Sequence, residues 1–137
     1  MFAQALKLLG TRRAMVVHGH DGLDEITVCA PTRVSELNDG LIRTYDIQPE
    51  QFFDEPAEPE ALQGGDPQEN AAITRAVLDG EKGARRDVVL INSGAALMVA
   101  GKADNLKAGI EMAAEAVDSG AATEKMDALI QFTNENG

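Results

Sequence analysis

The sequence predicts an α/β fold, or the closely related α+β arrangement, in which a small sheet comes early in the chain and helices follow it. Short apolar runs that suit strands cluster before residue 48, whereas stripes at helical spacing run from residue 66 onward. Aromatic residues make up only 4% of the 137 residues, and alanine is abundant. This composition suits closely packed helices better than a β-sandwich.

One helix and two strands are predicted in the first thirty residues. Apolar residues at helical spacing between residues 2 and 9 predict a short helix, which Gly10 ends. Residues 15–18 and 26–29 are continuous, largely β-branched runs of the kind that buried strands contain. Residues 26–29 are therefore expected to form the second strand, which Pro31 ends.

A β-hairpin is predicted next. Residues 34–37 and 41–47 are apolar runs joined by Asn38-Asp39-Gly40, a sequence typical of tight hairpin turns. Because parallel strands need long crossovers, this hairpin implies at least one antiparallel strand, and a partial mixed sheet is predicted. Residues 48–63 contain three prolines and several carboxylates, so we expect a surface loop with one helical turn near residues 50–53.

Four helices are predicted in the rest of the chain. Asp66, with proline after it and Glu69 three positions on, forms a capping box that starts the first of them. Residues 87–100 contain a strand-like run, but fourteen residues without proline favour a buried helix. Asp104 is expected to cap the third helix and Thr123 to start the last. The sheet is thin for so many helices, which indicates a fragment of a larger fold.

Charge and cysteine content exclude several classes of protein. The formal net charge of −11 is the opposite of what a nucleic-acid binder or a protein adsorbed on an anionic membrane requires. Cys29 is the only cysteine, so no internal disulfide can form. Neither a membrane-spanning run nor a secretory leader is apparent, and a cytoplasmic location is expected.

The densest polar cluster is the stretch of residues 18–25, His-Gly-His-Asp-Gly-Leu-Asp-Glu, directly after the first strand. Loops at the carboxyl ends of strands are common ligand sites. His18 and His20 could contribute to a zinc site of a metal-dependent hydrolase, although a third ligand would have to be an aspartate. Alternatively, Asp24 and Glu25 could converge on Mg²⁺, which prefers carboxylate oxygens, water and substrate phosphates. From the residues alone, a third interpretation remains, in which Asp24 and Glu25 are solvated surface residues without a ligand.

The same stretch carries a family resemblance. Residues 14–25 closely resemble the region of anthranilate phosphoribosyltransferases around their His-Gly-x-Asp-Gly-Leu-Asp-Glu motif. Further matches follow in the same order: Pro31-Thr32-Arg33-Val34, Gly64-Gly65-Asp66, Glu69-Asn70-Ala71, Gly80-Glu81-Lys82-Gly83, Arg86-Asp87, Asn92 and Ala100-Gly101-Lys102-Ala103. The likeness runs from about residue 6 to residue 132, and so many motifs in order and spacing are specific.

The resemblance implies a function and a metal site. It implies a Mg²⁺-dependent glycosyltransferase that moves phosphoribose from 5-phosphoribosyl 1-diphosphate to anthranilate in tryptophan biosynthesis. Carried over residue by residue, Asp24 and Glu25 would bind the Mg²⁺ that holds the diphosphate. No residue of the chain is assigned a catalytic or organic-cofactor role.

The resemblance also implies that residues 1–137 are one α/β domain fragment, the C-terminal portion of a nucleoside phosphorylase/phosphoribosyltransferase-like domain. The family's phosphate loop and its Lys-His-Gly-Asn segment are absent from the sequence, as is the helical domain through which these enzymes form homodimers. We therefore expect the chain alone to be inactive. A non-catalytic, truncated binding module is the alternative.

Several polar residues have structural explanations. Gly64-Gly65-Asp66 lacks the leading Gly-Thr of the family's phosphate loop, and the capping box accounts for Asp66. Asn70 and Asn92 are expected to satisfy buried backbone groups. His18 is expected to be structural, and Arg12-Arg13 and Arg85-Arg86 to lie on solvated surface.

Overall fold

A computed structural model of the chain describes residues 1–136, which form three strands and five helices. In chain order these are α1 (Phe2–Leu8), β1 (Arg13–Gly19), β2 (Thr32–Asn38), β3 (Leu41–Ile47), α2 (Pro67–Leu78), α3 (Ala84–Val99), α4 (Leu106–Asp118) and α5 (Ala121–Asn136), with 3₁₀ turns at Pro49–Gln51 and Pro59–Leu62. The α/β prediction is confirmed. Within residues 1–136, every helix is too short or too polar to reach across a lipid bilayer.

The sheet is organised by the hairpin. Asp39 and Gly40 both have positive φ, 45° and 87°, as a type I′ turn requires, so the predicted hairpin of β2 and β3 is confirmed. β1 pairs antiparallel with β2, which gives the order β1-β2-β3. Val34 of β2 lies opposite Val17 and Tyr45, and this row faces the core. Every strand pair among residues 1–136 is antiparallel, so the described part of the sheet lacks the parallel pair of a mixed sheet.

The predicted strand at residues 26–29 is wrong. These residues form an irregular, buried segment without a strand partner. The pattern of β-branched residues gives burial correctly, since Ile26, Thr27 and Val28 are only 1–2% exposed. It does not give the hydrogen-bond partner, and here side chains replace the neighbouring strand.

The capping box of α2 is confirmed. The Asp66 carboxylate accepts hydrogen bonds from the amides of Gln68 and Glu69, and the Glu69 carboxylate accepts one from the Asp66 amide. The helical interpretation of residues 87–100 is also confirmed, because they lie in α3 and the residue just after its end.

Two helix starts differ from the prediction. Asn105, not Asp104, caps α4: its Oδ1 accepts a hydrogen bond of 3.0 Å from the Ala108 amide. Both residue types cap well, and the register that buries Leu106 selects the second. The last helix starts at Ala121 rather than Thr123, whose hydroxyl instead donates to the Leu78 carbonyl at the end of α2.

Helix α3 connects the two parts of the core. Its Ile91 and Ala95 pack with sheet and loop residues, whereas Leu90 packs with residues of α4. The axes of α3 and α4 approach closely where Gly94 faces Gly109. A Cβ on Gly94 would lie 2.7 Å from the Ile110 backbone nitrogen, and one on Gly109 would collide with the Gly94 carbonyl oxygen. The core therefore requires glycine at this crossing.

Adding one methyl group at the crossing should destabilise the fold. We expect Gly94→Ala to lower the free energy of unfolding by about 1–3 kcal/mol, because the overpacking outweighs alanine's better helix propensity. Urea denaturation measures the change. Ser93→Ala is the control, since it adds no atom at the neighbouring position. A Gly94→Ala chain as stable as wild type would contradict this packing.

The single tyrosine gives a spectroscopic test of the sheet. Burial, the hydrogen bond from the Tyr45 hydroxyl to Glu36 (3.0 Å) and the Glu36 charge raise the pKa of Tyr45 from 10.0 to about 12. Because the fold favours the neutral phenol, this stabilisation is complete below pH 10 and lost as pH rises through about 12. We expect absorbance at 295 nm to titrate near 12 and earlier in Glu36→Gln. A wild-type midpoint near 10 would contradict the contact.

Candidate functional site

The site is built on the acidic loop, residues 20–31, which connects β1 to β2. Its base is closed by a hydrogen bond of 2.8 Å from the His20 amide to the Pro31 carbonyl. A tight turn then forms at its start, where the Gly19 amide donates to the Leu23 carbonyl at 2.8 Å. Both ends of the loop are thus tied down before it reaches its two adjacent carboxylates.

Asp21 holds the inside of the acidic loop. One carboxylate oxygen accepts a hydrogen bond from the Leu23 amide at 3.2 Å, and the other accepts one from the Thr27 hydroxyl at 2.6 Å. A Cβ at Gly19 would collide with this carboxylate, so glycine is required beside it. Asp21 is therefore a structural residue of the loop, and its two oxygens are already engaged.

The buried half of the loop is held by side chains. The Ile26 amide donates to Asn92 Oδ1 (3.0 Å), the Thr27 amide to Thr32 Oγ1 (3.1 Å) and the Cys29 amide to Thr27 Oγ1 (3.0 Å). Buried backbone groups need such partners, and an unsatisfied one costs about 1–3 kcal/mol. These bonds fix the segment directly after the carboxylate pair.

Asp24 and Glu25 are exposed at the tip of the loop. Among residues 1–136, neither forms an ion pair with a basic side chain. Burial raises the pKa of Glu25 above its usual value, and the neighbouring Asp24 charge raises it further. Two negative charges thus lie side by side without a cation from the described part of the chain.

One side of Glu25 borders a cavity of about 400 Å³ between the acidic loop, α2 and α3. Much of its lining is apolar, including Leu23, Val77 and Val88. This lining removes water from part of the Glu25 carboxyl group, which is the physical origin of its raised pKa.

The pair suits a hard divalent cation. Two carboxylates without a protein cation supply the oxygen ligands that Mg²⁺ prefers, and it would keep water or phosphate oxygens in its other positions. Within residues 1–136, no cluster of three or more histidine, cysteine or acidic side chains could by itself hold a metal. A Mg²⁺ ion at Asp24 and Glu25 would therefore take its remaining oxygen ligands from outside the described residues, as water or phosphate oxygens.

The histidines do not form a metal site in the described structure. His20 Nε2 lies 3.3 Å from Asp46 Oδ1, and the same carboxylate pairs with Arg33 Nε at 2.6 Å. His18 is exposed on β1 and lies opposite Arg33 in the sheet register. The third protein ligand that a catalytic zinc needs does not accompany them within residues 1–136. The hydrolase alternative therefore gains no support.

Both asparagines bond backbone groups, but only Asn92 bonds a buried residue, as predicted; the Asn70 contact with Gly65 is exposed. Asn70 Oδ1 accepts from the Gly65 amide and its Nδ2 donates to the Gly65 carbonyl, each at 2.9 Å. Asn92 makes the same two-way contact with Ile26. Two contacts were not predicted from the sequence: Asn92 joins α3 to the acidic loop, and Asp21 bonds groups within that loop. For Asp21 the sequence does carry a signal, because a loop aspartate often accepts a hydrogen bond from the amide two residues later, as Asp21 does from Leu23.

One basic residue differs from the expectation. Arg86 is buried, with 3% of its side chain exposed, and its Nη2 lies 2.9 Å from Asp118 Oδ1. Arg12 and Arg13 are exposed, as expected, whereas Arg85 is half-buried and its Nη2 donates to the Gln63 carbonyl at 2.7 Å. Arg86 lies on the inner face of α3, where the helical period turns it away from solvent.

Comparisons with known proteins bear on this site. Residues 1–123 match the family model described as glycosyl transferase family, a/b domain. The chain is 64% identical to the anthranilate phosphoribosyltransferase of Desulfosudis oleivorans over all of its own length and 41% of that relative. It is 61% identical to that of Syntrophobacter fumaroxidans, over 99% of this chain and 40% of the relative.

Solved structures agree. The anthranilate phosphoribosyltransferase from Thermus thermophilus superposes with a TM-score of 0.84 at 40% identity, over 95% of this chain and 38% of that one. The Saccharomyces cerevisiae enzyme in complex with PRPP and Mg superposes with a TM-score of 0.79 at 28% identity, over 92% of this chain and 37% of that one. The chain thus spans about 40% of the length of the relatives that it matches.

The resemblance inferred from the motifs is confirmed at both levels, in sequence and in structure. The chain belongs to the glycosyl transferase family, a/b domain, and is similar there to anthranilate phosphoribosyltransferases.

Proposed function

We propose that this chain is part of an anthranilate phosphoribosyltransferase and that Asp24 and Glu25 bind its Mg²⁺. The observation that carries the proposal is a pair of adjacent, exposed carboxylates that have no ion-pair partner among residues 1–136 and are held on a braced loop. Support comes from relatives that bear this name and from a Saccharomyces cerevisiae neighbour in complex with PRPP and Mg. Another neighbour from the same yeast is in complex with 4-fluoroanthranilate.

The proposed reaction forms a bond between the anthranilate nitrogen and C1 of the phosphoribosyl group, while the bond from C1 to the diphosphate oxygen breaks and the nitrogen releases one proton to water. When bound, Mg²⁺ would neutralise the negative charge that gathers on the departing diphosphate. Asp24 and Glu25 would hold the metal through oxygen ligands. Asp21 and Thr27 would keep the loop from shifting as charge develops, because their hydrogen bond lies inside it.

The rest of the machinery is proposed to come from outside this chain. The family's phosphate loop and its Lys-His-Gly-Asn segment do not occur in the sequence. Positioning both substrates contributes much of the rate of a two-substrate reaction. We therefore propose that the chain alone is inactive. We also propose, from the family resemblance, that the complete protein is a cytoplasmic homodimer. A binding module without catalysis is the second candidate.

Complementation tests the proposed function. Anthranilate fluorescence is followed with 5-phosphoribosyl 1-diphosphate and Mg²⁺, first with the chain alone. The part of the Desulfosudis oleivorans relative that the chain does not cover is then added. We expect fluorescence to fall only in the mixture, because each half holds part of the substrate contacts. Activity of the chain alone would contradict the assignment of those contacts. An associated but inactive mixture would favour the binding module.

Removing the carboxylate charges tests the metal assignment. The test enzyme is a chimaera in which this chain replaces the matching 41% of the Desulfosudis oleivorans relative. We expect Asp24→Asn with Glu25→Gln to lower kcat/KM roughly a hundredfold or more, without a change in Tm, since charge stabilisation of the leaving group is lost.

The matched control for that variant is Asp54→Asn with Glu55→Gln. It removes the same charges from another exposed Asp-Glu pair, on the loop after β3. The control should keep wild-type turnover. Equal turnover in both double variants would remove Asp24 and Glu25 from the metal site.

A further inference from the structure

Asn92 makes three hydrogen bonds, of which two connect α3 to the acidic loop and one lies within α3. Its Oδ1 accepts from the Ile26 amide at 3.0 Å, and its Nδ2 donates to the Ile26 carbonyl at 2.8 Å. The same Nδ2 donates to the Val88 carbonyl one turn earlier in α3, at 2.9 Å. We name these three contacts the Asn92 clamp.

The clamp holds both peptide groups of the residue that directly follows Glu25. The amide of Ile26 belongs to the Glu25–Ile26 peptide plane, so a fixed amide fixes the orientation of the Glu25 backbone. Ile26 is 1% exposed and packs in the core with Ile91, the neighbour of Asn92 in α3. The bond to Val88 restricts the Asn92 side chain itself. Helix α3 thus orients the backbone from which the Glu25 side chain extends to the surface.

The opposite side of the loop has a separate support. Asp21 bonds the Leu23 amide and the Thr27 hydroxyl, so the segment of residues 23–27 is held at both ends. Only Asp24 and Glu25 within that segment extend to solvent on charged side chains. On the Glu25 side, the support comes from Asn92, which lies on α3, 66 residues from Ile26 in sequence.

We propose that Asn92 is a positioning residue for the metal site, which sets the placement of the Glu25 carboxylate for Mg²⁺ through the Ile26 backbone. The inference rests on the proposed function, because it concerns the metal assigned there to Asp24 and Glu25. Asn92 is assigned no direct contact with the metal, because its amide group bonds the backbone of Ile26 and Val88. Residues that orient metal ligands without binding the metal commonly change metal affinity by about 10–100-fold when they are replaced.

The test measures metal binding directly. Mn²⁺ replaces Mg²⁺ as the probe, with inorganic diphosphate present, and free Mn²⁺ is read by electron paramagnetic resonance in the chimaera described above. We expect Asn92→Ala to raise the Kd for Mn²⁺ about tenfold or more. The matched control is Leu90→Ala, which removes a buried side chain of the same helix on the side facing α4. Leu90→Ala should lower Tm about as much as Asn92→Ala does. It should leave the Kd for Mn²⁺ within about twofold of wild type, since the hydrogen bonds to Ile26 remain.

The outcomes separate the inference from the function on which it rests. The positioning role is overturned if Asn92→Ala binds Mn²⁺ no more weakly than its control Leu90→Ala. The metal assignment still stands in that case if Asp24→Asn with Glu25→Gln weakens binding. If the double variant binds Mn²⁺ like wild type, or wild type binds none, the metal assignment fails and the inference fails with it. Weakened binding in Asn92→Ala and the double variant, but not in Leu90→Ala, supports both.

Discussion

The rest of the site depends on how the backbone of residues 26–29 is satisfied. This segment is buried under the sheet yet has no neighbouring strand, so its polar groups would be costly if they were left unpaired. Hydrogen bonds with the side chains of Asn92, Thr32 and Thr27, and with the Ala57 amide, take the place of a strand ladder. Because Asn92 lies on α3 and Thr32 on β2, the loop is fixed to two regular elements. The backbone that carries the two carboxylates is therefore held in place on both sides.

Helix α3 serves this loop because it is itself held from the other side. Gly94 and Gly109 let the backbones of α3 and α4 approach more closely than any side chain would allow. Leu90 then packs into α4, while Ile91 faces the sheet and the loop. The glycines at the crossing thus set how closely α3 approaches α4, and Asn92 on α3 bonds Ile26 directly after the carboxylate pair.

Features encoded by neighbouring residues could be predicted from the sequence, and those encoded by distant residues could not. The Asn38-Asp39-Gly40 turn and the capping box at Asp66 are local, and both were correct. The segment at residues 26–29 has strand-like residues, but its Asn92 partner is 66 positions away. Burial was therefore predictable there and hydrogen bonding was not. For α4, Asp104 and Asn105 are both good caps, and only the burial of Leu106 decides between them.

The candidate site shows the same division. The motif around Asp24 and Glu25 identified the family and the loop, since that signal is contiguous in sequence. The braces from Asp21 and Asn92 became visible only once the fold brought them to the loop. The metal role of the pair stays a prediction, because ligands outside the chain would complete it.

Amide hydrogen exchange in the wild-type chain tests the central claim most directly, because it reports on the loop backbone itself. If side chains replace a strand partner, the amides of Ile26, Thr27 and Cys29 should be protected to about the same degree as those of β2. Exchange of these three amides at the rate of an unstructured peptide, while β2 stays protected, would contradict the account. The acidic loop would then be mobile rather than braced.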